Sequence, residues 1–188
     1  MRFGPAAPGP LPITIDDTLL ALHVPDGRTL AGIAASGQWP QILPGLLAEE
    51  DREHVIDRLR DPYDLMTWHA VFRITLGLAP ELYGVEWWAA QRLCGLAQER
   101  WRDWSAWCAR RGLDPDTASG YRIVSSVWAW ITDGVQEEKD LHRAERAIFD
   151  PPPEMRRGPA AVPRGFSEDE LAAQARQIVA MAGDDIDE

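Results

Sequence analysis

The sequence predicts a mainly α protein: a single helical domain of about six helices, with a small N-terminal β-hairpin and a tethered C-terminal helix. Three observations predict it. Between Glu49 and Phe149 the apolar residues recur every three to four positions in successive stretches bounded by Gly, Pro or Asp. The triple proline Pro151 to Pro153 then ends that pattern. One more amphipathic stretch follows it, with Leu171, Ala175, Ile178 and Ala182 on a common face. The resulting division is an arm at 1–12, a body at 13–150, a linker at 151–166, and a C-terminal helix with an acidic tail at 167–188.

The arm holds four prolines and two glycines and has little to bury, so it is expected to be disordered. From Ile13 to Leu30 the chain turns to Ile, Thr, Leu and Val around Pro25-Asp26-Gly27, where proline presets a turn and glycine supplies a positive φ. A small hairpin is expected there, with its turn at those three residues. Leu30 to Ser36 forms a short helix stopped by Gly37, and Trp39-Pro40 opens the next connection.

Six longer helices follow. Glu49 to Arg60 begins with acids and ends with Arg58 and Arg60, which suits the helix dipole at both ends, and Pro62 closes it. After Asp64, the residues Leu65, Trp68, Val71, Phe72, Thr75, Leu76 and Ala79 fall on one arc at 100° per residue. Glu86 to Gln98 gathers Trp87, Ala90, Leu93, Cys94 and Ala97, while Trp88 projects among Arg92 and Glu99. Trp101, Trp104, Trp107 and Cys108 form a stripe opposed by Arg102, Asp103 and Arg110, with Gly112 as the stop. Thr117 to Thr132 turns Val124, Val127, Trp128 and Ile131 inward, and Ile123 and Trp130 widen that face enough to touch two neighbours. Gln136 to Phe149 carries Leu141, Ala144 and Ile148 up to the prolines. Beyond the linker, with its five prolines and two glycines, Ser167 and Glu170 make a capping box for the last helix. A lone helix of that length is marginal in water, so it needs a surface to dock on.

Composition limits the function. A chain of 188 residues is long enough to bury a sizeable core. Nineteen basic against thirty acidic side chains give a net charge of −11, which argues against a sequence-independent grip on nucleic acid. No apolar run reaches the roughly 20 residues that would cross a membrane. Cys94 and Cys108 read as buried thiols in a reducing cytoplasm.

The chemistry-bearing residues do not assemble into a site. His23, His54, His69 and His142 are scattered without nearby thiols, so no metal is expected, and Glu138 with His142 reads as an ordinary surface pair. Ser125, Ser126 and Cys94 lie within helical patterns without a nucleophile elbow, and no phosphate-cradling glycine loop occurs, so neither catalysis nor a cofactor is expected. The nine tryptophans read as core: the arginines interleaved with Trp101, Trp104 and Trp107 fall on the opposite face of the helix from the rings. Trp88, and after it Trp39 and Trp130, are the candidates for exposed contacts with a protein partner.

Four stretches carry a resemblance: GQWPQILPGLL at 37–47, DRLRDPYDLMTWHAVFRITLGL at 57–78, EWWAAQRLCGLA at 86–97 and DWSAWCARRGLDPDTASGYRIVSSVWAWI at 103–131. In their order, and in the RAIFDPPP that ends the body, the chain resembles the tail assembly chaperones of actinobacterial siphophages. The resemblance implies a non-enzymatic helper in the host cell cytoplasm. Such a helper coats the tape-measure protein while the tail is built, then leaves as tail-tube protein polymerises. It transfers no functional residue to a numbered position here. On this reading Leu171, Ile178 and Met181 of the tail and Trp88 of the body are the partner-binding residues. Two other functions stay open: a structural virion or head-to-tail connector protein, and a small-molecule-binding helical domain with a Trp-lined pocket.

Overall fold

The computed structural model describes residues 11–15, 18–61, 63–64, 66–153 and 155. Strands β1 (Leu11–Ile15) and β2 (Thr18–Leu22) form an antiparallel hairpin in which Ile15 faces Thr18 and Leu11 faces Leu22. Eight α-helices follow among the described residues: α1 (Gly27–Ser36), α2 (Ile42–Leu46), α3 (Glu49–Arg60), α4 (Trp68–Tyr83), α5 (Trp87–Glu99), α6 (Trp101–Ala109), α7 (Gly120–Thr132) and α8 (Glu138–Phe149). The fold is mainly helical with a small N-terminal hairpin, as the sequence predicts. The two helices beyond the six longer ones expected are α1, read from sequence as a short helix over Leu30 to Ser36, and α2. The second occupies the stretch read as a connection, entered through a 3-10 turn at Trp39–Gln41.

The hairpin turn is not at Pro25-Asp26-Gly27. Asp26 is instead the N-cap of α1, its carboxylate accepting the Thr29 amide at 2.9 Å, and Gly27 is the first helical residue. A Cβ on Gly27 would collide with the Ala118 carbonyl, so this position needs glycine for close approach and not for a turn. Gly120, at the start of α7, is constrained in the same way: an added Cβ would lie 2.7 Å from the Leu82 carbonyl oxygen. Two helix starts are thus pressed against neighbouring backbone.

Ile15, Leu20 and Leu22 face the core while Leu19 is exposed, and the His23 amide donates to the Leu46 carbonyl at 2.6 Å, tying the hairpin to the end of α2. Helix α5 packs chiefly along α1. Helix α7 packs along α1, α4, α5 and α6, and its Trp128 ring meets Phe149 of α8 edge-on, more neighbours than the two its apolar face suggested. Its Ile123, Val124 and Val127 are buried, while Trp128, Trp130 and Ile131 are half-buried at the margin of the core. Helix α4 starts at Trp68, capped by the Thr67 hydroxyl, and runs one turn past Ala79 through Pro80 to the left-handed cap Gly84. No described helix is long and apolar enough to cross a membrane.

The tryptophans divide into two sets. Trp39, Trp87, Trp104 and Trp107 are buried; Trp68, Trp88, Trp101, Trp128 and Trp130 are half-buried. Trp39, expected as a possible exposed anchor, is fully enclosed. Its ring packs edge-on against Tyr83 and Trp87, and its indole N–H donates to Gln91 Oε1 at 3.1 Å. The expected separation of the arginines from the rings fails at the end of α6, where Arg111 folds back over Trp107, and it does not extend across the fold. Arg28 reaches over Trp101, Arg100 over Trp130, and Arg111 lies 3.9 Å from the centroid of Trp107. A projection of one helix leaves out Arg28, which arrives from α1, and cannot place Arg100 and Arg111, which lie just beyond the two ends of α6.

Candidate interaction groove

Helix α5 carries two stripes. Ala90, Leu93, Cys94 and Ala97 are buried, whereas Trp88, Arg92, Gly95 and Leu96 remain partly open to solvent. This second stripe is the floor of a groove of about 640 Å³, with Ala35 of α1 on one wall and Ala147 and Ile148 of α8 on the other. Pro152 lines its end, where the chain leaves α8. Apolar atoms and small side chains dominate, with Gln91, Arg92 and Glu99 as polar contributors.

The wall formed by α8 is held by donors from α5. A helix ends with carbonyls that have no intrahelical partner, and prolines following it offer no N–H to cap them. Here Trp88 Nε1 donates to the Phe149 carbonyl at 3.1 Å, and Arg92 donates to the carbonyls of Ile148 and Asp150, both at 2.8 Å. Trp88 and Arg92 are one helical turn apart, so both side chains project to the same side. Trp88 therefore sits in the groove with its ring partly exposed and its N–H already used within the fold. Arg92 and Leu96 escaped the sequence reading as site residues. The available signal was their i, i+4 and i, i+8 spacing from Trp88. Leu171, Ile178 and Met181 lie outside the described residues.

A second concavity, of about 560 Å³, lies between the end of α6 and the start of α7, and its lining includes Arg111, Asp114, Thr117, Tyr121, Arg122 and Ser125. Its two arginines are offset by Asp114 in the same lining and by Asp133, which pairs with Arg111 at 2.8 Å. The same Asp133 oxygen accepts the Trp107 indole N–H at 2.6 Å. That hydrogen bond, with Arg111 adding to it, holds the Asp133 carboxyl below its usual range.

Both cysteines are buried. Burial pushes the Cys94 thiol up to about 12, which keeps it protonated and unreactive. His142 lies between Glu138 at 3.5 Å and Glu145 at 3.2 Å on the exposed face of α8. No group of three or more His, Cys, Asp or Glu residues among those described is arranged to hold a metal. No protein-family model, curated protein or solved structure matches the chain.

Proposed function

We propose that the protein is a tail assembly chaperone that binds the tape-measure protein and keeps it soluble during tail morphogenesis. The observation that carries this reading is the open apolar groove on α5, with Trp88 and Leu96 on its floor and Ile148 in its wall. A long helical tape-measure protein presents apolar stripes before assembly, and an amphipathic helix laid in a groove is a standard means of covering such a stripe. The net charge of −11 keeps the complex soluble once the stripe is covered. Leu171, Ile178 and Met181 extend the apolar contact from the tail. The resemblance in segment order supplies the identity of the partner.

Co-expression with the tape-measure protein of the same phage tests the proposal. The full-length chain is expected to keep that protein in the soluble fraction and to co-purify with it, and Leu96→Asp to lose both effects while retaining the helical far-UV spectrum. Co-purification unaffected by Leu96→Asp, or none with the parent chain, overturns the reading. The Trp-lined groove also supports a small-molecule reading. That reading requires a ligand-induced change in tryptophan emission that Leu96→Asp abolishes without any effect on the tape-measure protein.

A further inference from the structure

We infer that the groove on α5 selects a partner helix by two features one turn apart: a large apolar side chain that enters the low point at Gly95, and a Lys or Arg that pairs with Glu99. The inference rests on the reading of this groove as the tape-measure site and narrows it to a pattern within that protein.

Three residues set the low point. Gly95 lies mid-helix on the floor, with Ala35 of α1 and Ala147 of α8 in the walls, and Trp88 and Leu96 rise beside it. A glycine inside a helix is less favourable than alanine. Nothing within the fold requires one here: Gly95 is not in the left-handed region, and an added Cβ would meet nothing within 4 Å. Gly77, exposed on α4, has the same freedom, so the glycine alone decides nothing. What distinguishes Gly95 is the concavity around it. The missing side chain opens a hole that a large residue of a facing helix can fill as a knob. An apolar anchor seated in such a pocket is where binding energy concentrates.

Charge sets the second feature. Two ionic side chains line the groove, Arg92 and Glu99. Arg92 is half-buried and donates to the carbonyls of Ile148 and Asp150. Glu99 is exposed, at the far end of the floor from Trp88, and its carboxylate has no hydrogen-bond or ion-pair partner among the described residues. The neighbouring Arg100 is turned to Asp103 at 2.7 Å. Gly95 and Glu99 are four residues apart, so they share a face of α5, about 6 Å from each other along its axis. Residues three or four apart on a second helix laid along α5 have the same spacing. A knob at Gly95 therefore carries a residue one turn away to Glu99, where a basic side chain is favoured and an acidic one is rejected.

Overlapping peptides that cover the tape-measure protein test this, each about 20 residues long and so able to run the whole floor as a helix. They are probed with the full-length chain. Those bound are expected to carry a large apolar residue with Lys or Arg three or four positions from it. Gly95→Leu fills the hole and should weaken them at least about tenfold while the urea midpoint is held or raised, because leucine favours a helix over glycine. Gly77→Leu should leave binding unchanged. Glu99→Lys should weaken the same peptides about fivefold, and replacing the peptide's basic residue by Glu should restore binding to Glu99→Lys alone. Peptides bound equally well by Gly95→Leu and Glu99→Lys, or a loss at Glu99→Lys without that rescue, overturn this inference and leave the chaperone reading standing. No bound peptide overturns both. A dimer of the parent chain that Gly95→Leu dissolves gives the groove to a second copy and overturns the inference as well.

Discussion

Two fully buried indoles differ in one hydrogen bond. Trp39 donates to Gln91, whereas the Trp104 N–H has no partner among the described residues, although its ring packs edge-on against Trp101. Replacing either by Phe removes similar volume, but Trp104→Phe also removes an unsatisfied donor, while Trp39→Phe breaks a made bond. Trp39→Phe is therefore expected to be the more destabilising by about 1 kcal/mol, read as a lower urea midpoint at an unchanged slope. Asp64 offers a pH-dependent counterpart. Arg58 holds both of its oxygens at 2.8 Å and the Met66 amide donates to it at 2.7 Å, and these bonds push its carboxyl down to about 2. Its folded value lies below the unfolded value of about 3.9, so its contribution to stability is present above about pH 4 and is lost as pH falls towards 2. Asp64→Asn should be less stable than the parent at neutral pH and should lose less between about pH 4 and pH 2, as followed by urea midpoints across that range. At this scale the sequence disclosed burial better than partnership. The stripe of Trp104, Trp107 and Cys108 was legible from spacing, whereas the burial of Trp39 depends on Gln91, 52 positions away, which no local pattern reveals.

At the scale of elements, the bounds of α3 coincide with the expected Glu49 and Arg60, because charge at both ends and a proline beyond them all indicate one segment. Pro25-Asp26-Gly27 misled because the same residue types serve a turn and a helix start. What decides between them is the Ala118 carbonyl pressed against Gly27, a contact that spans 91 positions of sequence. Placement of α8 was likewise not legible, since its C-terminal carbonyls are satisfied by side chains from another helix. That arrangement yields a prediction. Arg92→Met keeps most of the apolar stem but removes donors to Ile148 and Asp150, so it should cost about 1–2 kcal/mol. Amide exchange should accelerate most in the last turn of α8 and less in α7, which touches that turn only through the Trp128–Phe149 ring contact, because α8 packs chiefly against α5. Equal acceleration in both helices would mean that Arg92 supports the body as a whole.

For the whole molecule, the separation between a charged exterior and an apolar groove makes the mode of partner binding measurable. A chain carrying −11 could attract a basic partner through its general field, and such association weakens steeply as salt shortens the Debye length from about 10 Å at 0.1 M to about 3 Å at 1 M. Burial of apolar surface in the groove has no such dependence and is strengthened by salts excluded from protein surfaces. If the groove on α5 carries binding, the affinity for the tape-measure protein should change by no more than about threefold between low and high sodium chloride, and should tighten in sodium sulfate. The association should also show a negative heat-capacity change in titration calorimetry, the mark of apolar burial. A fall of tenfold or more with sodium chloride would place the contact on the acidic exterior instead.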